Sequence, residues 1–347
     1  MRSDETPRAP VRTAVVGVGL MGVLFARLLE QSARGRLIAL AEADASRHSA
    51  LEKDFGVPVY TDCYQLLDST TPDAAVIATS DQAHLEPATA VLERGIPLLI
   101  EKPLALTVAD AERIVRTAAA TKTLLMVAQV LRFDPRFALL RDAVTRGELG
   151  EVQLVHGRRE APLAEGTRLA GRTSLAFYVG VHDIDAIHWI TQARVCQVMA
   201  SYSGCVPGLP DTEAVLTATL WLDNGAAATL QHSWTLPDST YRIHTQLFEV
   251  IGTRGTGRVD ALDDGLRLET GGRVTNPSVH YVFSPILQGR ICGVYRDELE
   301  HFLECLQTGR EPVVTGADGA AAVAVASEID EAARTGRRCE VHYERRQ

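Results

Sequence analysis

The sequence predicts an α/β fold that begins with a doubly wound parallel sheet. Short apolar runs alternate with helical patterns through the first 130 residues, and glycine or proline often separates them. Repeated strand–helix units of this length form parallel sheets with right-handed crossovers. The 347 residues are enough for two domains, so a second domain is expected after the alternation ends.

Composition indicates a globular protein and argues against two classes of partner. Hydrophobic residues make up 46% and charged residues 23% of the chain, and the formal net charge is −9. An acidic chain is unsuited to general binding of nucleic acids or anionic membranes. No apolar run approaches the ~20 residues of a transmembrane helix, and segment 1–10 lacks a signal-peptide pattern. We therefore expect no nucleic-acid partner and no membrane partner.

The spacing of the cysteines indicates the cellular compartment in which the protein is expected. Six cysteines are spread along the chain without CxxC pairs. This spacing favours free thiols over a disulfide framework or a zinc site. Free thiols are typical of the reducing cytosol, so we expect a cytoplasmic protein without a metal centre.

A glycine-rich turn follows the first predicted strand. The β-branched run 11–16 leads directly into the motif Gly17-Val18-Gly19-Leu20-Met21-Gly22, where a helical pattern begins. A strand, a GxGxxG turn and a helix are together the context of dinucleotide binding. The first glycine allows the tight turn, the second lets the backbone approach a pyrophosphate, and the third permits close helix–strand packing. The candidate cofactor contacts in this motif are Gly17, Gly19, Leu20, Met21 and Gly22.

An acidic residue at the end of the second predicted strand, 37–41, strengthens this prediction. Glu42 follows Gly22 by 20 residues, which is the spacing of the acid that binds the hydroxyls of the adenosine ribose. A carboxylate there repels a 2′-phosphate, so NAD is favoured over NADP. Arg47 lies nearby and either softens that preference or is a solvated helix residue; the second interpretation is favoured.

A third predicted strand, 74–78, also ends in polar residues. Thr79, Ser80 and His84 follow it, at an edge where parallel sheets bind ligands. Their hydroxyls and imidazole either contact the ribose or pyrophosphate of the cofactor or, in the case of Ser80, cap the next helix. Both interpretations stay open on the sequence alone.

The apolar strand 98–100 stops at Glu101-Lys102-Pro103, because proline cannot continue a central ladder. Both charged side chains are thus presented at the carboxyl end of a strand. A partly desolvated lysine beside a cationic cofactor has its pKa lowered toward neutrality and becomes a general acid/base. We therefore predict Lys102 as the chemical centre, with Glu101 orienting it or contacting the cofactor. A surface salt bridge between the two is the alternative.

These motifs resemble the glucose-fructose oxidoreductase, inositol dehydrogenase and MocA (GFO/IDH/MocA) family. The resemblance covers nearly the whole chain and extends to Arg132-Phe133-Asp134-Pro135 and His182-Asp183-Ile184-Asp185. Glu-Lys-Pro at this distance from the glycine motif is specific for the family, but it says little about the substrate.

The resemblance implies the domain organisation. It predicts an N-terminal Rossmann domain, residues 1–130, with a doubly wound parallel sheet. A C-terminal α/β domain, residues 131–347, would follow with an open, mainly antiparallel sheet, and the late helices would pack near the domain boundary. Many members form dimers or tetramers through the open face of the second sheet, so a homodimer or homotetramer is expected.

The resemblance also assigns residues to a substrate. His182 is expected to handle a proton together with Lys102, and Arg132 to hold substrate oxygens. Asp185 either binds a substrate hydroxyl or holds its helix. Members often have an aspartate where this chain has Tyr178, on the same helix face as His182. A phenol with an ordinary pKa near ~10 is a poor base, so Tyr178 relays a proton, binds a hydroxyl or narrows the pocket.

Two further groups of residues are weaker candidates. Four aromatic or imidazole side chains lie near substrate-contacting positions of the family: His232, Trp234, Tyr241 and His244. Four arginines either bind a phosphorylated substrate or form a solvated basic loop, which is favoured: Arg158, Arg159, Arg168 and Arg172.

The function that the resemblance implies is hydride transfer between a nicotinamide and a carbinol or keto carbon. The substrate would be a sugar, a cyclitol or a nucleotide-linked sugar. Three alternatives stay open: a glycoside-cleaving enzyme that uses transient oxidation by NAD, a reductase of a non-sugar substrate such as a tetrapyrrole or an imine, and a non-catalytic regulator that senses NAD or a sugar.

Overall fold

The computed structural model describes residues 9–237, 245–260, 268–270, 273–275 and 283–343. The chain divides into two compact units. The first comprises residues 1–105, 110–128 and 286–317, and the second comprises 106–109, 129–285 and 318–347. Each unit has a sheet and a buried core of its own.

The strands of the described residues are β1 Val11–Val16, β2 Gly35–Ala41, β3 Val59–Tyr60, β4 Ala74–Ile77, β5 Leu98–Ile100, β6 Leu125–Val127, β7 Val152–Pro162, β8 Val195–Val206, β9 Leu209–Leu222, β10 Ala227–Leu236, β11 Thr245–Gly252, β12 Thr256–Asp260, β13 Leu268–Thr270, β14 Arg273–Thr275, β15 Ile286–Leu287, β16 Arg290–Ile291 and β17 Cys339–Glu340. The α-helices are α1 Leu20–Gln31, α2 His48–Phe55, α3 Cys63–Ser69, α4 Leu85–Glu93, α5 Val108–Thr121, α6 Pro135–Thr145, α7 Leu163–Leu169, α8 Val181–Thr191, α9 Val294–Thr308 and α10 Gly316–Thr335.

The first unit contains a parallel sheet in the order β3-β2-β1-β4-β5-β6. The central strands β4 and β5 are buried over their whole length, as expected when helices cover both faces of a parallel sheet. Strand order reverses between β1 and β4, and open α/β sheets bind ligands at such a switch point. The predicted doubly wound Rossmann sheet is confirmed.

Local signals account for the helix ends around this sheet. The Asp62 carboxylate accepts a hydrogen bond from Gln65 N at 2.9 Å and caps α3, as side-chain oxygens do at helix N-termini. Gly56 ends α2 with a φ of +65°, which glycine adopts without steric cost. In the second unit, Asp134 caps α6 in the same way by accepting from Arg136 N. Each of these signals is local in the sequence, which is why it predicts the helix end at that position.

Helix α9 belongs to the first unit although it lies late in the sequence. Its Glu300 carboxylate accepts a hydrogen bond from Ser32 Oγ at 2.6 Å. Leu303 packs near Leu29 around Gly35, which has no side chain to hold them apart. The structure therefore divides the chain differently from a single break at residue 130.

The second unit contains a mixed sheet in the order β12-β11-β7-β10-β9-β8-β17. The neighbours β7 and β10 are parallel, and the other pairs are antiparallel. Burial alternates along β9, where Leu216 and Ala218 are buried and Thr217 is exposed. Met199 and Gln231 are also exposed on the neighbouring strands. The predicted open, mainly antiparallel sheet is confirmed.

Three local features differ from the sequence-based expectation. Helix α7 occupies residues that were predicted to be a basic loop. The apolar pattern of residues 179–190 predicts a helix, but a π-helical turn, Ala176–Gly180, precedes α8 and makes its start irregular. Strand β6 is short and is followed by a 3₁₀ turn, Val130–Phe133.

Candidate active site

Four predicted site segments lie at one edge of the first sheet. Gly17 follows β1, Glu42 follows β2, Thr79 lies just beyond β4, and Glu101 follows β5. These strands are parallel neighbours, so their carboxyl ends meet at the same edge. The backbone N–H groups of Gly17 and Glu101 still bond to adjacent strands, at 2.8 and 2.9 Å. The sheet thus fixes the positions where both motifs begin.

The three glycines of the turn differ in what a side chain would meet at each position. Gly17 has a φ of +85°, and an added Cβ would lie 2.6 Å from Thr79 Cα. An added Cβ at Gly22 would lie 1.9 Å from the Gly17 carbonyl oxygen. At Gly19, however, a Cβ would meet no atom of the described residues within 4 Å. The fold explains the first two, whereas the open space at Gly19 suits a ligand that approaches the backbone.

The N-terminus of α1 suits a pyrophosphate. Gly19 is its N-cap and provides no side-chain hydrogen bond, so the first amide donors of the helix are available to an anion. Leu20, the first helical residue, is 89% exposed, and Met21 is half-buried. The residues present therefore fit a dinucleotide phosphate at this turn.

Arg47 joins the acidic residue to the glycine turn. Its Nη1 donates to Glu42 Oε2 at 2.7 Å, and its Nη2 donates to the Val18 carbonyl at 2.6 Å. The other Glu42 oxygen accepts from Asp44 N at 3.0 Å. The interpretation of Arg47 as a solvated helix residue was wrong, because its long side chain folds back over the turn. It brings a positive charge to the position predicted for the adenosine ribose.

Thr79, Ser80 and His84 have distinct environments. Thr79 Oγ1 donates to the Ala83 carbonyl at 3.0 Å, whereas Ser80 is exposed and makes no capping bond. His84 is 1% exposed, and its Nδ1 lies 2.8 Å from the Pro103 carbonyl oxygen. Burial lowers the pKa of His84 and favours the neutral ring. The structure therefore favours a supporting role for His84, which ties its segment to the turn after Lys102.

The Glu101-Lys102-Pro103 turn combines a buried acid with an accessible lysine. Glu101 is 8% exposed, and its Oε2 accepts from the Lys102 backbone N–H at 3.1 Å. Burial raises the pKa of Glu101 to about 7, against the opposing effect of the Lys102 charge. Lys102 is half-buried, and its bond to Pro103 is cis. Lys102 thus lies at the carboxyl edge of the sheet, and the neighbouring buried acid binds its backbone N–H.

In the second unit, Arg132 and Asp185 form a buried ion pair. Arg132 Nε and Nη2 donate to the two Asp185 oxygens at 2.9 and 2.6 Å. Asp318 on α10 also accepts from Arg132. Burial alone would lower the pKa of Arg132, but the two carboxylates raise it above its ordinary value. This favours the helix-holding alternative for Asp185, and substrate binding by Arg132 stays a prediction.

A second buried cluster holds the other side of α8. Asp183 accepts from Arg159 Nη2 at 2.6 Å and bonds His232 Nε2 at 2.8 Å. Burial alone would raise the pKa of Asp183, but Arg159 and His232 outweigh it and hold it well below its usual range. Arg159 and His232 are paired across β7 and β10. The basic-loop interpretation was wrong for Arg159, because this strand residue points at a buried acid.

Tyr178 is bound to a neighbouring acid. Its hydroxyl donates to Glu165 Oε2 at 3.0 Å, and Arg168 Nη2 donates to the same oxygen at 2.6 Å. Burial, with the Glu165 charge, raises the pKa of Tyr178 above its ordinary value. Its ring centroid lies 5.1 Å from that of Trp234. Tyr178 is therefore protonated at neutral pH and suits hydrogen bonding rather than general-base catalysis.

His182 is half-buried at the second position of α8, with its Nδ1 atom buried. A π turn, Ala176–Gly180, precedes α8 and contains Tyr178. The aspartates on either side of Ile184 anchor the helix and thereby position His182. Of the weaker candidates, Tyr241 and His244 lie outside the described residues.

Comparisons with known proteins identify the family. The profile of an oxidoreductase family with an NAD-binding Rossmann fold matches residues 11–129, and the GFO/IDH/MocA C-terminal domain matches residues 137–258. Inositol 2-dehydrogenase 1 of Saccharopolyspora erythraea is 30% identical over 341 residues, which cover 95% of this chain and 96% of that protein. The chain belongs to the GFO/IDH/MocA oxidoreductase family.

Other members of the GFO/IDH/MocA family extend the comparison. The scyllo-inositol 2-dehydrogenase (NAD(+)) of Bacillus subtilis is 27% identical and covers 89% of this chain and 90% of its own. The crystal structure of scyllo-inositol dehydrogenase from Lactobacillus casei, with bound NAD(H) and scyllo-inositol, has a TM-score of 0.83 at 19% identity. That match covers 95% of this chain and 99% of the other, and it supports the fold.

Membership confirms two predictions directly. The cofactor is NAD, which the family's N-terminal domain binds, and the chain is an oxidoreductase of the dehydrogenase or reductase class. Over the described residues, none of the helices has the length and apolar character needed to span a membrane.

Proposed function

We propose that the chain is an NAD-dependent dehydrogenase that oxidises a ring hydroxyl of a cyclitol or a closely related polyol. The observation that carries this proposal is the shared sheet edge. The glycine turn for a dinucleotide and the half-buried Lys102 follow strands of one parallel sheet. The inositol dehydrogenases among its relatives support a cyclitol over other alcohols.

The proposed reaction separates a hydride from a proton. When bound, NAD would supply the acceptor for the hydride that leaves the carbinol carbon. Lys102, in its neutral form, takes the proton from the hydroxyl oxygen, and the carbinol becomes a ketone. A positioned general base of this kind contributes about 10²–10⁴-fold to the rate. In the reverse direction, the Lys102 ammonium returns the proton to the ketone oxygen.

His182 is proposed as the second proton-handling residue. Its helix is held by the Asp183 and Asp185 clusters, so its imidazole has a defined position. Tyr178 is proposed to donate a hydrogen bond within the second unit, because its raised pKa keeps the phenol protonated. Neither role requires the tyrosine to act as a base.

We also propose a homodimer or homotetramer, formed through the open face of the second sheet. Met199 is 49% exposed on this face. An open sheet with exposed apolar side chains suits association with an identical surface.

A substrate screen tests the proposed function. The purified protein is mixed with NAD and a panel of inositol isomers, aldoses and nucleotide-linked sugars, and absorbance is followed at the NADH band. We expect NADH to form with one or more inositols. If products appear from a glycoside without net NADH, the enzyme oxidises its substrate transiently. If neither occurs with any compound, the cyclitol proposal is wrong.

A further inference from the structure

Two buried carboxyl groups of the first unit have side-chain oxygens without a hydrogen-bond donor among the described residues. Glu298 on α9 is fully buried, and within the described part of the chain neither of its side-chain oxygens has a hydrogen-bond partner. Glu101 Oε2 is bonded to the Lys102 N–H, but its Oε1 is buried without a partner among the same residues. An ionised carboxylate only accepts hydrogen bonds. Because three of the four side-chain oxygens are buried without a donor among the described residues, we infer that one of the two carboxyl groups is protonated.

The ionisation of Glu298 depends on the charge of Glu101. Burial raises the pKa of Glu298 well above its usual value, and the Glu101 charge raises it further. On the other side, the Lys102 charge favours the ionised form of Glu101 against the effect of burial. Two carboxyls that resist joint ionisation bind one proton between them. The proton belongs on Glu298, because Glu101 has the cation and the backbone donor.

We propose that Glu298 is a positioning residue for Lys102. As a neutral carboxylic acid it would offer its hydrogen to Glu101 Oε1, which is buried without a donor among the described residues, and it would leave the negative charge on Glu101. An anion there stabilises the ammonium that Lys102 becomes when it takes the substrate proton. This inference rests on the proposed proton-handling role of Lys102, although the protonation of Glu298 is measurable without any substrate.

Two substitutions distinguish the effect of the size of the Glu298 side chain from the effect of its hydrogen-bond donor. Glu298→Gln keeps the size of the side chain and a hydrogen donor but cannot ionise. Glu298→Leu keeps a similar volume and removes the donor. Glu304→Gln, on the exposed side of the same helix, is the matched control.

Infrared spectroscopy of the whole protein at neutral pH detects the acid directly. We expect a carbonyl band of a protonated carboxylic acid in the wild type and in Glu304→Gln. The band should be weaker in Glu298→Gln than in either of them. An identical spectrum in wild type and Glu298→Gln would overturn the neutral-acid assignment.

Thermal unfolding as a function of pH gives a second readout. A carboxyl whose pKa is raised by folding stabilises the protein at low pH, and this stability is lost as pH rises. As pH rises above ~4.3, the ordinary pKa of a glutamate, the unfolding temperature of the wild type should therefore fall more steeply than that of Glu298→Gln, because only the wild type has the raised pKa of Glu298. Parallel curves for the two proteins would contradict the proposal.

Kinetics test the link to Lys102 once a substrate is found. Glu298→Leu should lower kcat by about tenfold or more and shift the pH profile of kcat, whereas Glu298→Gln should restore most of the rate. A Leu variant with the wild-type rate and pH profile would refute the positioning role. Failure of the substrate screen would count against the proposed function alone, since the infrared and unfolding results need no substrate.

Discussion

At the scale of single residues, burial separates supporting side chains from those that meet a ligand. His84, Asp183 and Asp185 are each 1% exposed, and each bonds to another part of its own unit. Lys102 and His182 are half-buried. All five were singled out from the sequence as parts of motifs, but a motif does not tell which of its polar members turn inward. Only the tertiary environment decides between support and chemistry.

Replacement of Lys102 tests its proposed role. In Lys102→Ala we expect kcat to fall by about 10²–10⁴-fold, because the hydroxyl proton loses its acceptor. NAD binding, measured by calorimetry, should be nearly unchanged. Lys53→Ala, at an exposed position of α2, is the control and should behave as the wild type. Wild-type turnover in Lys102→Ala would refute the mechanism.

At the scale of elements, two structural features position the candidate site residues: the glycine turn before α1 and the buried ion pairs that hold α8. The glycine turn packs α1 against the sheet so closely that Gly22 nearly touches the carbonyl of Gly17. In the second unit, helix α8 is held by Asp183 on one side and Asp185 on the other. The turn was readable from sequence because its residues are contiguous. The helix anchors were not, since their arginine partners lie on β7 and in the turn before α6.

The turn predicts opposite outcomes for two glycine substitutions. Gly19→Ala should leave the unfolding temperature unchanged, because its Cβ meets no atom within 4 Å among the described residues. It should weaken NAD binding by about tenfold or more, or about 1.4 kcal/mol, because the methyl group occupies the approach to the backbone. Gly22→Ala should instead reduce the free energy of unfolding by about 1–3 kcal/mol through overpacking. Thermal unfolding and calorimetric titration measure both, and unaltered NAD affinity in Gly19→Ala would contradict the predicted phosphate site.

The anchor of α8 predicts a dependence of stability on pH. The pKa of Asp183 is lowered by folding, so its stabilising contribution is present above its unfolded pKa of ~3.9 and is lost as pH falls. Asp183→Asn should cost about 3–5 kcal/mol at neutral pH, since Arg159 keeps a buried, unpaired charge. Its free energy of unfolding should also fall less steeply below about pH 4.

Urea unfolding at several pH values checks this expectation. Asp211→Asn, at an exposed position of β9, is the control and should follow the wild type. The role assigned to Asp183 fails if Asp183→Asn loses stability in acid as steeply as the wild type does.

At the scale of the whole molecule, sequence order and structural units differ. Helix α9 lies after the second sheet in the chain but completes the first unit, where it also supplies Glu298. The two sheets were both predicted correctly in type. The return of a late helix to the first unit was not, because it depends on packing against Leu29 and Gly35, more than two hundred residues earlier.

The open face of the second sheet predicts the oligomeric state. Light scattering should give the mass of a dimer or tetramer for the wild type. Met199→Glu should reduce that mass, because a charge on this face opposes burial in an interface. Leu139→Glu, at an exposed position of α6, is the matched control and should leave the mass unchanged. A monomeric wild type, or an unchanged mass in Met199→Glu, would refute the proposed interface.

The amino-acid sequence alone determined the parallel sheet, the glycine turn, the NAD preference and the place of Lys102 at a strand end. These rest on short-range signals: apolar period, turn residues and the spacing from Gly22 to Glu42. The tertiary structure decided the partners of the charged groups, such as Arg132 with Asp185, which are 53 positions apart. It also brought Glu298 under the influence of Glu101. Burial and pairing between distant residues determine the partners of these charged groups, and neither can be predicted from the local pattern of residues.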